Sequence, residues 1–172
     1  MDEQKYNLEQ SIAELDRLLN LSAKETDKAA CEDLAEKARI IYEQYPESED
    51  IALRYARILV NLSTEQTELK ELETTVEKVQ DLQQQFPDSP NIAEALARIL
   101  FNLSTEQTEL KELENTVERV QDLQQQFKDS HNIALEHAMI LFNLSTEQTE
   151  LKELENTVER VQDLQQQFKD SH

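Results

Sequence analysis

Apolar residues fall along this chain in two alternating patterns. Between Pro90 and Leu103 the apolar positions are Ile92, Ala93, Leu96, Ala97, Ile99, Leu100 and Leu103. Steps of three and four stack side chains on one face of an α-helix, so this run predicts a helix A over about residues 90–102 with a broad buried face. Further on, Leu110, Leu113, Val117, Val120, Leu123 and Phe127 make a narrower stripe, with Glu, Lys, Gln, Asn and Arg between them. That stripe predicts a helix B over about 105–127. At about 1.5 Å per residue the two would span roughly 20 and 34 Å.

The pair recurs. Ile99 to His131 returns letter for letter as Ile140 to His172, an altered copy runs from Ile58 to Pro90, and a diverged one from Arg17 to Glu49, always 41 residues apart. The expectation is a single repeat domain of four helical hairpins, with units at about 7–47, 48–88, 89–129 and 130–172. A repeat of 41 is not a whole number of heptads, and the helix B stripe leaves an a/d seam after Val120, which argues against one long coiled coil. Pro46 and Pro87 interrupt the chain in the first two units, and cap signals do so in every unit. Stacked hairpins satisfy all of these at once. The first unit is atypical, as a terminal repeat is expected to be. Its helix A is predicted over about 4–20, and its helix B carries Cys31, Ala35, Ala38, Ile41 and Tyr45 where the second unit has Leu72, Val76, Val79, Leu82 and Phe86.

The chain has no Gly. Turns must therefore be built from Asn, Ser, Asp and Pro. Asn102 is expected to end helix A in a left-handed conformation, which Asn tolerates better than other non-Gly residues. Ser104 with Gln107 then forms a capping box for helix B. The pair recurs as Ser63/Gln66, Ser145/Gln148 and, in the first unit, Ser22/Glu25. Ser89 is the expected N-cap of helix A, with Pro90 in its first turn. The Asn-Leu-Ser triplets at Asn20, Asn61, Asn102 and Asn143 match a glycosylation pattern. With a polar start, MDEQKYNLEQ, and no secretory signal, they are read as structure.

Formal net charge is −20. Nucleic acid and anionic membranes both require Lys/Arg patches, so neither is an expected partner; a basic peptide is permitted. One Cys and no targeting segment point to a reducing, cytoplasmic setting. There is no Gly-rich loop for a phosphate and no Gly for an EF-hand turn. Cys31, His131, His137 and His172 do not form a zinc-ligand cluster. No cofactor, metal or catalytic function is expected. Cys31 lies on the buried stripe and is read as a small core residue. His137 replaces Tyr55 and Leu96 and is read as a packed histidine, with a pH-sensitive contact as the alternative.

These features resemble the tetratricopeptide repeat family, whose unit is a helix–turn–helix of 34 residues. The likeness rests on the small residue in helix A (Ala56, Ala97, Ala138), the large apolar residue a turn later (Leu59, Leu100, Leu141) and the closing turns Tyr45-Pro46-Glu47 and Phe86-Pro87-Asp88. The chain departs from that pattern in its longer period, placed most simply as two extra turns at the start of helix B. It also has Ala52, Ala93 and Ala134 at the early aromatic position of helix A. Thr75, Thr116 and Thr157 replace the small residue of helix B, and Lys128 and Lys169 replace the closing Pro. The resemblance implies an all-α, right-handed α-solenoid in which helix A lines a concave surface.

By the same resemblance that surface includes Arg57, Val60, Asn61, Asn91, Glu94, Arg98, Phe101, Asn102, Asn132, Met139, Phe142 and Asn143, and would hold a peptide or protein segment. The third and fourth units differ at Glu94/Leu135, Ala95/Glu136, Leu96/His137 and Arg98/Met139, besides Pro90/His131 in the first turn, all on helix A, so specificity is expected there. The other reading is structural. The identical 33-residue blocks mark recent duplication or deliberate construction. The last stripe, Leu151, Leu154, Val158, Val161, Leu164 and Phe168, lacks a following unit. That predicts end-to-end self-association or a fragment of a longer array.

Overall fold

The structure, a computed structural model, describes residues 2–148 and 151–169, with side chains described from 7 to 148 and from 153 to 169. Among these residues there are eight α-helices and no strand: α1 (Asp2–Ser22), α2 (Lys28–Gln44), α3 (Glu49–Thr64), α4 (Leu69–Gln85), α5 (Pro90–Glu106), α6 (Leu110–Gln126), α7 (His131–Glu147) and α8 (Leu151–Lys169). The expected all-α class and alternation of helices A and B hold. The chain divides into two compact units, Met1–Leu96 and Ala97–His172. In the first, α1 packs on α2 and α3, α2 on α3, and α3 on α4; in the second, α6 packs on α7 and α7 on α8.

The apolar faces fill the core as their spacing requires. Ile92, Ala93, Leu96, Ala97, Ile99, Leu100 and Leu103 of α5 are all buried, and so are Leu113, Val117, Val120 and Leu123 of α6. Leu110 and Phe127, at the ends of the α6 stripe, are half-buried. In α2, Cys31, Ala35 and Ala38 occupy the core as the diverged copy predicted.

The joint between the paired helices differs from expectation. Helix A does not stop at Asn102, and no described residue has positive φ. Leu103 is three residues from Leu100 and four from Ile99, so its complete burial holds the chain in helical register past the Asn. Ser104 and Thr105 then lie inside the helix. Their hydroxyls donate to the carbonyls of Phe101 and Asn102, at 2.7 Å each, a use open to Ser and Thr within helices as well as at caps. The proposed capping box is therefore not formed, and helix B starts at Leu110 instead of 105. The carbonyl of Glu109 accepts from the amide of Leu113, while the Glu109 side chain makes no cap. Both α5 and α6 have 17 residues, so the added length is not carried by helix B alone.

The Gln that was assigned to the box has another role. Thr116 Oγ1 donates to Gln107 Oε1 at 2.8 Å, and the bond recurs as Thr75–Gln66 at 2.9 Å and Thr157–Gln148 at 2.8 Å. It ties the A–B loop of the last three hairpins to the helix that follows. Turns after helix B close without Gly: the amides of Ser48, Ser89 and Ser130 donate to the carbonyls of Tyr45, Phe86 and Phe127. Lys128 replaces Pro in the third of these because the second position of such a turn accepts most residues. Ser48 and Ser130 go on to cap α3 and α7.

Candidate functional site

Helix A residues carried the functional expectation, and each compact unit places its share of them. In the first, Arg57 and Asn91 are exposed, and Val60, Asn61 and Glu94 are half-buried. In the second, Arg98 and Asn132 are exposed, Phe101, Asn102, Met139 and Asn143 are half-buried, and Phe142 is 67 % exposed. Two of the asparagines have structural partners. Asn61 Nδ2 donates to Ser22 Oγ and Asn143 Nδ2 to Ser104 Oγ, both at 2.8 Å. Each links a helix A to the helix A of the preceding hairpin, which gives Asn61 and Asn143, with Ser22 and Ser104, a structural role and takes these two amides out of the set available to a partner.

Among the positions at which the third and fourth units differ, the four from Leu135 to Met139 split by side of the helix. Leu135 is 57 % exposed and Met139 half-buried. With Phe142 they follow in steps of four and three along one outward face of α7. Glu136 and His137 turn the other way and are buried. Glu136 Oε1 accepts from Arg98 Nη1 at 2.9 Å, while its Oε2 has no partner among the described residues. Burial pushes the Glu136 carboxyl above its usual range, against the pull of Arg98. Arg98 also lies over the Phe101 ring, 5.3 Å from its centroid, a cation–π arrangement. An arginine expected to greet a partner is thus held by an ion pair within its own unit.

His137 is packed, as expected, but its setting is more specific than a core filler's. Its Nδ1 lies 2.6 Å from Gln124 Oε1. Burial, with Arg160 adding, holds the ring's pKa down at about 4, so the imidazole is neutral at pH 7. Beside it is a cavity of about 470 Å³ lined by residues of α6, α7 and α8. Gln124 was not anticipated from the sequence. The signal was there: it lies four residues after Val120, on the buried stripe, as a polar residue at an apolar position. Glu136 was flagged only as a difference, although it occupies the place of the buried Ala95.

In the expected self-association stripe, Val158 is 53 % exposed, Leu154, Val161 and Phe168 are half-buried, and Leu164 is buried. The Leu151 side chain lies outside the described residues, as does His172. The Phe168 ring meets His131 edge-on at 4.7 Å. Cys31 is buried, and burial with the nearby carboxylates of Glu65 and Glu25 pushes its thiol pKa up, so the thiol stays protonated. Among the described residues no group of three His, Cys, Asp or Glu is placed to hold a metal ion, and no helix is long and apolar enough to cross a membrane.

No protein-family model matches the sequence, and no curated protein is similar to it.

Proposed function

We propose that the chain is a non-catalytic interaction scaffold, tetratricopeptide-like in plan, and that its second compact unit takes a peptide or protein segment on the outward face of α7. The observation that carries this is the exposure of Leu135 and Phe142, with Met139 between them. Large apolar side chains clustered on a surface mark interaction sites in a way that scattered ones do not. On α5 the half-buried Phe101 lies under Arg98. A net charge of −20 favours a basic segment that also offers apolar anchors for these side chains.

The test is a peptide-library capture with the wild-type chain and with Leu135→Glu plus Phe142→Glu. Both residues are exposed, so the variant should melt like wild type while losing most captured sequences. Undiminished capture by a folded variant would place the site elsewhere. Arg98→Ala is a poor probe, because it strands the buried Glu136 carboxylate.

A second reading, self-association through α8, is favoured by the exposure of Val158 beside half-buried Leu154 and Val161. Light scattering should then show a mass that rises with concentration and stops rising in Leu154→Glu plus Val158→Glu. A monomer at millimolar concentration would end that reading.

A further inference from the structure

The face of α8 that carries Val158 has a twin in the same chain, and the twin is covered. Leu113, Val117, Val120 and Gln124 of α6 follow in steps of four, three and four, so they form one strip along the helix, and all four are buried. Their copies 41 positions on are Leu154, Val158, Val161 and Gln165 of α8. Leu154 and Val161 are half-buried, and Val158 and Gln165 are exposed. The adjoining row does not change: Thr116, Leu123, Thr157 and Leu164 are all buried. The bare strip of α8 is therefore the one that α7 takes on α6, where Gln124 Oε1 lies 2.6 Å from Nδ1 of His137.

What α7 brings to that strip is also a pattern. Ile133, His137, Ile140 and Leu144 share one face, again in steps of four, three and four, and all are buried. α3, which packs on α2, carries the pattern as Ile51, Tyr55, Ile58 and Leu62, all buried. There Tyr55 stacks on Tyr42 of α2, at the positions of His137 and Gln124. α5 has the same set as Ile92, Leu96, Ile99 and Leu103. α1 does not. Its corresponding residues are Gln10, Glu14, Arg17 and Leu21, none of them buried, and Arg17 pairs with Glu14 at 2.6 Å. A second copy thus has no matching helix to spare: its α1 lacks the apolar side chains, and its α3 and α7 strips are already buried.

We propose that the bare strip of α8 docks an amphipathic helix of a partner other than this chain, one that carries isoleucine or leucine at i, i+7 and i+11. That helix seats on Val158 and Val161 as α7 seats on Val117 and Val120. The strip is the one that the self-association reading also uses, here with a different occupant. It is separate from the outward face of α7 and stands whether or not that face binds.

The test is a fluorescence-anisotropy titration of the full chain into a labelled, end-blocked peptide with the α7 sequence, His131–Glu147. In the peptide, Leu135→Lys, Met139→Lys and Phe142→Lys keep it soluble without touching the strip. Anisotropy should rise saturably. Ile140→Asp in the peptide should weaken binding at least about tenfold, and so should Val158→Glu in the chain. Val158 is exposed, so that variant should melt like wild type. Its added charge is negative and the peptide is basic, so a merely electrostatic association would tighten instead. The proposal is overturned if the wild-type chain gives no saturable rise, or if Ile140→Asp leaves the affinity as it was. It is equally overturned if the folded Val158→Glu chain binds as wild type does, because the peptide would then sit elsewhere, as it would by displacing α7 from α6. A mass that rises with chain concentration in light scattering, and still rises in saturating peptide, would give the strip to a second copy and overturn it too.

Discussion

The same seventeen residues, LKELENTVERVQDLQQQ, form α6 and open α8, and they meet different surroundings. Val117 is completely buried in α6, whereas its copy Val158 is 53 % exposed in α8. Leu113 is buried and Leu154 half-buried. Other features do not change. Both segments are helical, Thr116 and Thr157 are both buried, and each donates at 2.8 Å to the Gln of the preceding loop. α6 is followed by α7, which packs on it; no described helix follows α8. Identical sequence fixes what is local, namely the helix and its loop-to-helix bond. How much of the stripe leaves water is decided by what lies beside it.

The sharpest way to break this comparison is to place a charge at the paired valines. Val117→Asp buries a carboxylate with nothing to pair it and should cost upwards of about 3 kcal/mol, whereas Val158→Asp should cost under about 1 kcal/mol. Urea unfolding followed by circular dichroism reads both. Similar costs would mean that the two copies share one environment after all.

The next effect concerns His137, whose cavity is lined from both helices. Its pKa is held at about 4 against an unfolded value near 6.5. Between those values the unfolded chain takes up a proton that the folded chain refuses, so stability falls as pH falls, by about 3 kcal/mol from pH 7 to pH 4. Glu136 acts with the opposite sign: its raised pKa favours the folded state at low pH, a contribution lost as pH rises through the folded value. His137→Leu keeps Glu136 in place. The variant should therefore lose about 3 kcal/mol less than wild type over that interval. Parallel stability–pH profiles would show that the ring does not titrate in this way.

How much of this was legible follows from particular residues. The helix faces were readable because Ile99, Leu100 and Leu103 obey one spacing, and the same spacing carried the information that helix A runs on. The joint was misread because Asn and Ser serve both as caps and as in-helix donors, and their identity alone does not choose between the two. Here the burial of Leu103 chooses. Met139 and Phe142 were assigned to a concave surface by resemblance alone, and their exposure together with Leu135 on one face of α7 comes from the structure. Gln124 was hidden because a polar residue on a buried stripe has meaning only with its partner, and His137 comes from a different helix thirteen positions on.

Smaller effects sharpen what the two copies share. Thr116→Val and Thr157→Val each leave a Gln carbonyl unmet and should each cost about 1–2 kcal/mol, equal within about 0.5 kcal/mol, by the same urea unfolding. A much smaller cost at Thr157 would mean that even the local bond depends on the neighbouring helix. Asn143→Ala removes one donor to Ser104 Oγ, whose own proton still goes to the Phe101 carbonyl, and should cost about 1 kcal/mol or less.

The most direct test of the account is native-state amide hydrogen exchange, compared residue by residue between α6 and Glu153–Lys169 of α8. Amides around Val117 should exchange only through unfolding of the whole compact unit. Those around Val158 should open at least about a hundredfold more often, despite identical sequence. Equal protection at the two sites would contradict the claim that the neighbour, and not the sequence, sets how firmly each copy is held.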